Sequence, residues 1–333
     1  MPLDAVAAPP PAPSPPPSLA RGDGTPADKA LGEGDLAFAK GEFAAAETAY
    51  RAAAKLAPRD PAPLVGRVRA RAARANVSTD YNAAPADPVL LAAVGELGRA
   101  IKLDDAYAPA HLELGRTLLV LGRADAAFAE LKRAVDLAPG DAEAHSALGV
   151  AHLAMGRLPD ATRELGRAAE LAPGDAERQT NLGTALLAAG QTQEAVRAYE
   201  KAVRLAPGDA RALNDLGTAL LAENDAARAI PYLESAVAKD PQRATYRSNL
   251  GYARYLQGDL AKATALYREA LKLDEKLGSA WINLGNALAR EGKTQEARAA
   301  YLKAQALDPT DPRVKAVLVE LDAMERAAAK KAP

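Results

Sequence analysis

The sequence predicts an all-α solenoid, a row of helix-turn-helix units closed by one further helix. Three observations carry that prediction. Leu-Gly pairs recur with the glycines at 115, 149, 183, 217, 251 and 285, each step being 34 residues. Alanines follow at fixed offsets, at 127, 161, 195, 229, 263 and 297, and again at 134, 168, 202, 236, 270 and 304. Prolines near the repeat ends stand at 139, 173, 207, 241 and 309. At 333 residues an ordinary chain would form two domains. A repeat array instead grows in one direction, each unit burying its apolar face against the next.

The first 26 residues are rich in Pro, Ala and Ser. Clustered prolines remove backbone donors and favour extended polyproline II, so 1–26 reads as a disordered tether. It lacks a basic region followed by an apolar stretch and does not read as a signal peptide. "PAPSPPP" also fits a ligand for an aromatic-lined groove, although a plain linker fits better. Tethers of this kind follow lipid or membrane anchors in bacterial envelope proteins. The expected location is cytoplasmic, with a periplasmic or outer-membrane lipoprotein as the alternative.

Residues 27–60 form the first expected repeat, with Gly34, Ala46, Tyr50, Ala53 and Pro58 in register. The second, 61–107, carries about 13 extra residues near "NVSTDYNAAPADP" (76–88). Its first helix has Arg67 and Arg71 where apolar residues usually pack. Six regular repeats follow at 108–141, 142–175, 176–209, 210–243, 244–277 and 278–311. In the last, Trp281, Leu284, Gly285 and Leu288 fall on one helical face, and Ala297, Tyr301 and Ala304 on a second. Gly292, like Gly122, Gly156, Gly190 and Gly258, fits the left-handed position that ends a helix. The recurring "APGD" stops the second helix and offers an Asp to cap the next. A solvating helix over 312–328 is expected, with the stripe Val314, Val317, Leu318 and Leu321.

These residues resemble a tetratricopeptide repeat protein. Trp281, Leu284, Gly285, Leu288, Ala297, Tyr301, Ala304 and Pro309 match the family pattern in order, and the resemblance covers about 27–328. It implies a right-handed superhelix of about eight units, with the first helix of each lining a concave groove. It also implies a non-catalytic scaffold that binds a peptide or helix of a partner protein in that groove. Two further readings stand beside it, a self-assembling scaffold and an accessory subunit of an envelope-assembly or glycan-transfer complex. The composition looks bacterial.

With the Leu-Gly pair at repeat positions 7 and 8, groove position 6 holds Asn181, Asp215, Asn249 and Asn283. An Asn amide offers donors and an acceptor, so a row of them resembles a ladder that grips a peptide backbone. Position 12 holds Leu119, Leu153, Leu187, Leu221 and Tyr255. These fit an apolar groove floor, or partial burial under the neighbouring repeat. Tyr252 and Asn286 at position 9 add polar and aromatic contacts. The clamp of chaperone-tail binders needs a lysine at position 5, where this chain has Leu112, Ser146, Thr180, Asn214, Ser248 and Ile282.

Other chemistry finds little support. Basic and acidic residues number 42 and 43, which gives no long-range pull on nucleic acid or anionic membrane. There is no cysteine, and no apolar run approaches the roughly 20 residues that span a bilayer. His111, His145 and His152 fit the seam between helices better than a metal site. No phosphate loop or nucleophile motif is present, so no catalytic residue, metal or cofactor is expected. Arg67, Arg69, Arg71 and Arg74 read as a solvated helix face. "NVS" at 76–78 matches a glycosylation acceptor, which the absent secretory signal argues against.

Overall fold

The computed structural model describes residues 18–77 and 81–331, and all regular structure among them is helical. Two compact units divide the chain after Gln191. The first contains α1 (Pro26–Ala39), α2 (Phe43–Leu56), α3 (Ala62–Arg74), α4 (Pro88–Leu103), α5 (Ala108–Val120), α6 (Ala124–Leu137), α7 (Ala142–Ala154), α8 (Leu158–Leu171) and α9 (Ala176–Ala188). The second contains α10 (Thr192–Leu205), α11 (Ala210–Ala222), α12 (Ala226–Lys239), α13 (Ala244–Leu256), α14 (Leu260–Leu273), α15 (Gly278–Arg290), α16 (Thr294–Leu307) and α17 (Pro312–Lys331). Odd-numbered helices up to α15 are the first, or A, helices of the repeats, and even-numbered ones are the B helices. Within each unit every B helix also packs against the A helix that follows it.

The period arises from one recurrent contact. The B helix presents a large side chain to the bare backbone of the A-helix glycine sixteen residues earlier. A methyl group at Gly217 would meet Leu233 Cγ at 2.5 Å, and one at Gly251 would meet Tyr267 Cε1 at 2.9 Å. Gly34 with Tyr50, Gly115 with Leu131, Gly149 with Leu165 and Gly285 with Tyr301 approach as closely. Real Cβ atoms do not sit so near, so only glycine admits the large residue. The flanking alanines Ala127, Ala161, Ala229, Ala263 and Ala297 are fully buried.

The turns follow from local chemistry. Asp141, Asp175 and Asp209, from the "APGD" segments, each accept two backbone N–H groups of the next A helix. Each such cap contributes about 1 kcal/mol. Between A and B helices the backbone enters the left-handed region, at Gly122 (φ 74°) for instance, and Asn224 (φ 62°) serves where glycine is missing. At the C-terminal end, α17 buries Val314 and Leu321 in the cluster that holds Tyr301 and Leu288, with Val317 and Leu318 against it.

Part of the tether expected over 1–26 is ordered. Residues 1–17 lie outside the described residues. Ser18 to Arg21, however, dock on α1, and Leu19 is only 3% exposed. The insertion is also packed, apart from 78–80, which lie outside the described residues. Asn82 and Ala84 donate their backbone N–H groups to the carbonyls of Leu119 (3.0 Å) and Val120 (3.2 Å), at the end of α5.

B-helix tyrosines test the polar accounting. Tyr50 donates to Asp35 Oδ1 (2.8 Å) and Tyr301 to Asn286 Oδ1 (2.8 Å), each acceptor lying fifteen residues upstream at repeat position 9. The equivalent residue for Tyr267 is Tyr252, and the buried Tyr267 hydroxyl finds no hydrogen-bond partner among the described residues. Tyr301→Phe should therefore cost about 0.5–1.5 kcal/mol. Tyr267→Phe should be neutral or stabilising, because it removes a buried hydroxyl without breaking a bond. Equilibrium denaturation of the two variants checks this, and equal losses would contradict it.

Candidate functional site

The A-helix faces differ in kind between the two units. In the first unit the charges are spent on the protein itself. Arg71 bridges Glu96 (2.8 Å) and Glu47 (3.1 Å), Arg67 joins Glu96 (3.2 Å), and Arg74 joins Glu47 (3.0 Å). Arg69, 7% exposed, meets the buried Glu113 of α5 at 2.6 Å. The expectation of a solvated basic face on α3 is thus corrected. Glu47 on α2, Glu96 on α4 and Glu113 on α5 are all buried, and the arginines turn inward to neutralise them.

The ion pairs continue along the A helices. Arg116 on α5 meets Glu143 on α7 at 3.1 Å, and Arg178 on α9 pairs with the same carboxylate. Arg178 also donates to Ser146 Oγ (3.2 Å), which in turn receives Asn181 Nδ2 at 3.4 Å. Burial alone would raise the Glu113 carboxyl, but Arg69 and Arg116 outweigh it and hold the group below the usual glutamate range. Glu47 behaves alike, burial being overcome by Arg71, Arg74 and Arg51.

The position-12 residues are not equally open. Leu119 and Leu221 are buried, while Leu153 and Leu187 are half-buried. Leu153 packs in a cluster with Leu165, Leu182 and Ala185. The backbone of Leu119 is further covered by the insertion.

The second unit keeps a more open face. Asp215 on α11, Asn249 on α13 and Asn283 on α15 are all half-buried at one repeat position. Asn249 Nδ2 donates to Asn214 Oδ1 (2.8 Å), so its donor side is turned to the neighbouring helix and its carbonyl remains for another partner. Burial raises the Asp215 carboxyl, an effect only partly offset by the hydrogen bond from Asn214 (3.2 Å) and by Arg211. Tyr252, 40% exposed, stacks on Tyr255 with ring centroids 6.3 Å apart. The Arg290 guanidinium lies 4.7 Å from the Tyr255 ring centroid. Asn286 is committed to Tyr301.

His111 and His145 are structural links. Each places Nδ1 on a B-helix glutamate, Glu130 (2.7 Å) or Glu164 (2.8 Å), and Nε2 on the carbonyl six residues before, of Asp105 or Pro139. Trp281 donates to the carbonyl of Glu275 in the same way (2.8 Å). Among the described residues no group of three or more acidic residues and histidines is placed to hold a metal, and no helix is long and apolar enough to cross a membrane.

Two functional features escaped the sequence reading. Glutamates 47, 96 and 113 are spread over 66 residues, with nothing local to pair them with α3. The docking of Leu19 and Arg21 is hidden by its proline-rich surroundings.

The buried pair generates a pH and mutation test. A carboxylate with a depressed folded pKa contributes stability above its ordinary value, here 4.5, and loses that contribution as the pH falls through the folded value. The first unit should therefore weaken on acidification below that range. Arg69→Met leaves the buried Glu113 without its hydrogen-bonded partner, with only the charge of Arg116 nearby, and should cost up to about 3–5 kcal/mol at neutral pH. Adding Glu113→Gln should recover most of that loss. Denaturation of the single and double variants from pH 3 to pH 7 measures both effects.

Two family models described as tetratricopeptide repeat match the chain, one over 90–142, 180–244 and 214–278, the other over 121–183 and 254–321. Together they run from 90 to 321, more than half of the sequence. No curated protein matches. Among solved structures, the APC/C hetero-tetramer Cut9–Hcn1 superposes with a TM-score of 0.66 at 16% identity over 88% of this chain. The chain spans 55% of that one's length. Pseudomonas aeruginosa PilF superposes with a TM-score of 0.55 at 20% identity, over 65% of this chain and 98% of that one. These likenesses show the fold. The helix pairs, their glycine contacts and the family matches agree, and the chain belongs to the tetratricopeptide-repeat family.

Proposed function

We propose that this chain is a non-catalytic scaffold that binds an extended segment of a partner protein on the A-helix face of α11, α13 and α15. The observation that carries the reading is the row Asp215, Asn249 and Asn283 beside the exposed Tyr252. Half-buried polar groups at one helical register can meet a peptide backbone at a regular spacing, and a stacked tyrosine pair gives it an anchor. The family's general use as an interaction fold supports the reading. Asn181 holds the same repeat position on α9, in the first unit, and lies outside this face. The charges on this face are few and mixed, Asp215 with Arg211 one turn before it and Arg290 beside Tyr255, which favours a partner segment of low net charge.

The test pairs two sets of variants. Asn249→Ala, Asn283→Ala and Tyr252→Ala together should weaken a co-purified partner at least a hundredfold. Each lost hydrogen bond is worth roughly 0.5–1.5 kcal/mol and each 1.4 kcal/mol is tenfold. Helicity should persist, and the loss should depend weakly on salt because no ion pair is removed. The apolar-floor alternative expects Leu153→Asp and Leu187→Asp to abolish binding instead. Calorimetric affinities for both sets decide the matter. Unchanged affinity in the first set would overturn the proposed face.

A further inference from the structure

In the first unit a short irregular stretch of chain is held by specific contacts. Ser18 to Arg21 lie along α1 with neither helix nor strand of their own. A single carboxylate oxygen, Asp35 Oδ2, accepts the backbone N–H groups of Leu19 (2.8 Å) and Ala20 (3.0 Å) and the Ser18 hydroxyl (2.7 Å). The next N–H, of Arg21, donates to Asp28 Oδ1 at 2.6 Å. Three successive amides are thus read by two side-chain carboxylates, a way of holding main chain that ignores which side chains it carries. Asp35 is itself fixed by the Tyr50 hydroxyl (2.8 Å).

Two side chains of the segment are read as well. Leu19 is buried in the apolar cluster that includes Leu31, Val65 and Tyr50. Arg21 extends the other way. Its guanidinium meets both oxygens of Asp60 (3.3 and 2.9 Å) and lies 5.8 Å from the centroid of the Tyr107 ring. The receiving groups come from α1, from the turn before α3 and from the residue before α5. Burial pushes the Tyr107 hydroxyl up to about 12, as expected for a ring enclosed by this arrangement.

The connection to α1 turns on two glycines. Gly22 and Gly24 both have positive φ, and a Cβ on either would meet nothing within 4 Å. These glycines serve the turn and not packing, so no side-chain contact at the turn ties the segment to α1. We propose that Asp28, Asp35, Asp60 and Tyr107 form a peptide-binding site, occupied in cis by Leu19-Ala20-Arg21, that accepts in trans an extended segment with a leucine two residues before an arginine. The tethered segment competes at an effective concentration of roughly millimolar, so a free ligand binds well only when the tethered one is weakened. This site is separate from the α11–α15 face, and either proposal can fail without the other.

The experiment uses the full chain and a labelled peptide of residues 16–23, PPSLARGD. Fluorescence anisotropy should show Leu19→Ala/Arg21→Ala chain binding this peptide at least tenfold more tightly than the wild-type chain does. Peptides with the leucine changed to Asp, or the arginine changed to Ala, should each lose that affinity, and they leave the protein untouched. Arg21→Ala alone alters a half-exposed side chain and should give the same order of affinities with a smaller gain. That variant serves if the double variant loses helicity. No gain in either variant, or equal binding of a scrambled peptide, would show that the segment is a fixed cap and would overturn the proposal.

Discussion

The contact between a bare A-helix glycine and a large B-helix side chain sets the geometry of everything else. It fixes how closely the two helices of a pair approach, and so how the next A helix meets the B helix before it. Leu131, Leu165, Leu233, Tyr267 and Tyr301 are all buried at this place, each against a glycine whose missing Cβ makes the room. In the first pair the same constraint is doubled, because Tyr50 lies against both Gly34 and Gly66. Dispersion and the removal of apolar area from water drive the packing, and the glycine decides its distance.

Once the pairs are fixed, the A helices carry what their sequences place on the open face. In the first unit that is a set of charges which satisfy one another through Arg69–Glu113 and Arg116–Glu143–Arg178. A buried pair of this kind adds little net stability over apolar residues, yet it is costly to break on one side. It also takes Arg69 and Glu113 out of solvent, while Arg116 and Glu143 stay partly exposed. The second unit presents asparagines and tyrosines with few charges, Asp215 with Arg211 and, further along, Arg290.

The repeats were legible because glycine, alanine and proline each have one dominant physical meaning at these positions. Gly217 and Ala229 could be placed from spacing alone, and Asp209 could be placed as a cap. The site was legible only in part. The repeat position makes Asn249 a candidate, but its bond to Asn214, 35 residues earlier, is a tertiary fact. For Leu119 the sequence fits groove floor and burial alike, and the residue is buried, with the insertion bonded to its carbonyl, which nothing in the period reveals. Arg69 was read as solvated because Glu113 lies 44 residues away, beyond an insertion that breaks the register. Leu19 and Arg21 sit just past a proline run whose composition masks two specific contacts.

The central claim is that each glycine contact holds its own repeat and its neighbours. Native-state hydrogen exchange of Gly217→Val measures it most directly. The account predicts that amides of α11, α12 and α13 lose protection, because the new side chain forces Leu233 out, while those of α15 and α16 keep theirs. Unchanged protection in α11 and α12 would contradict it.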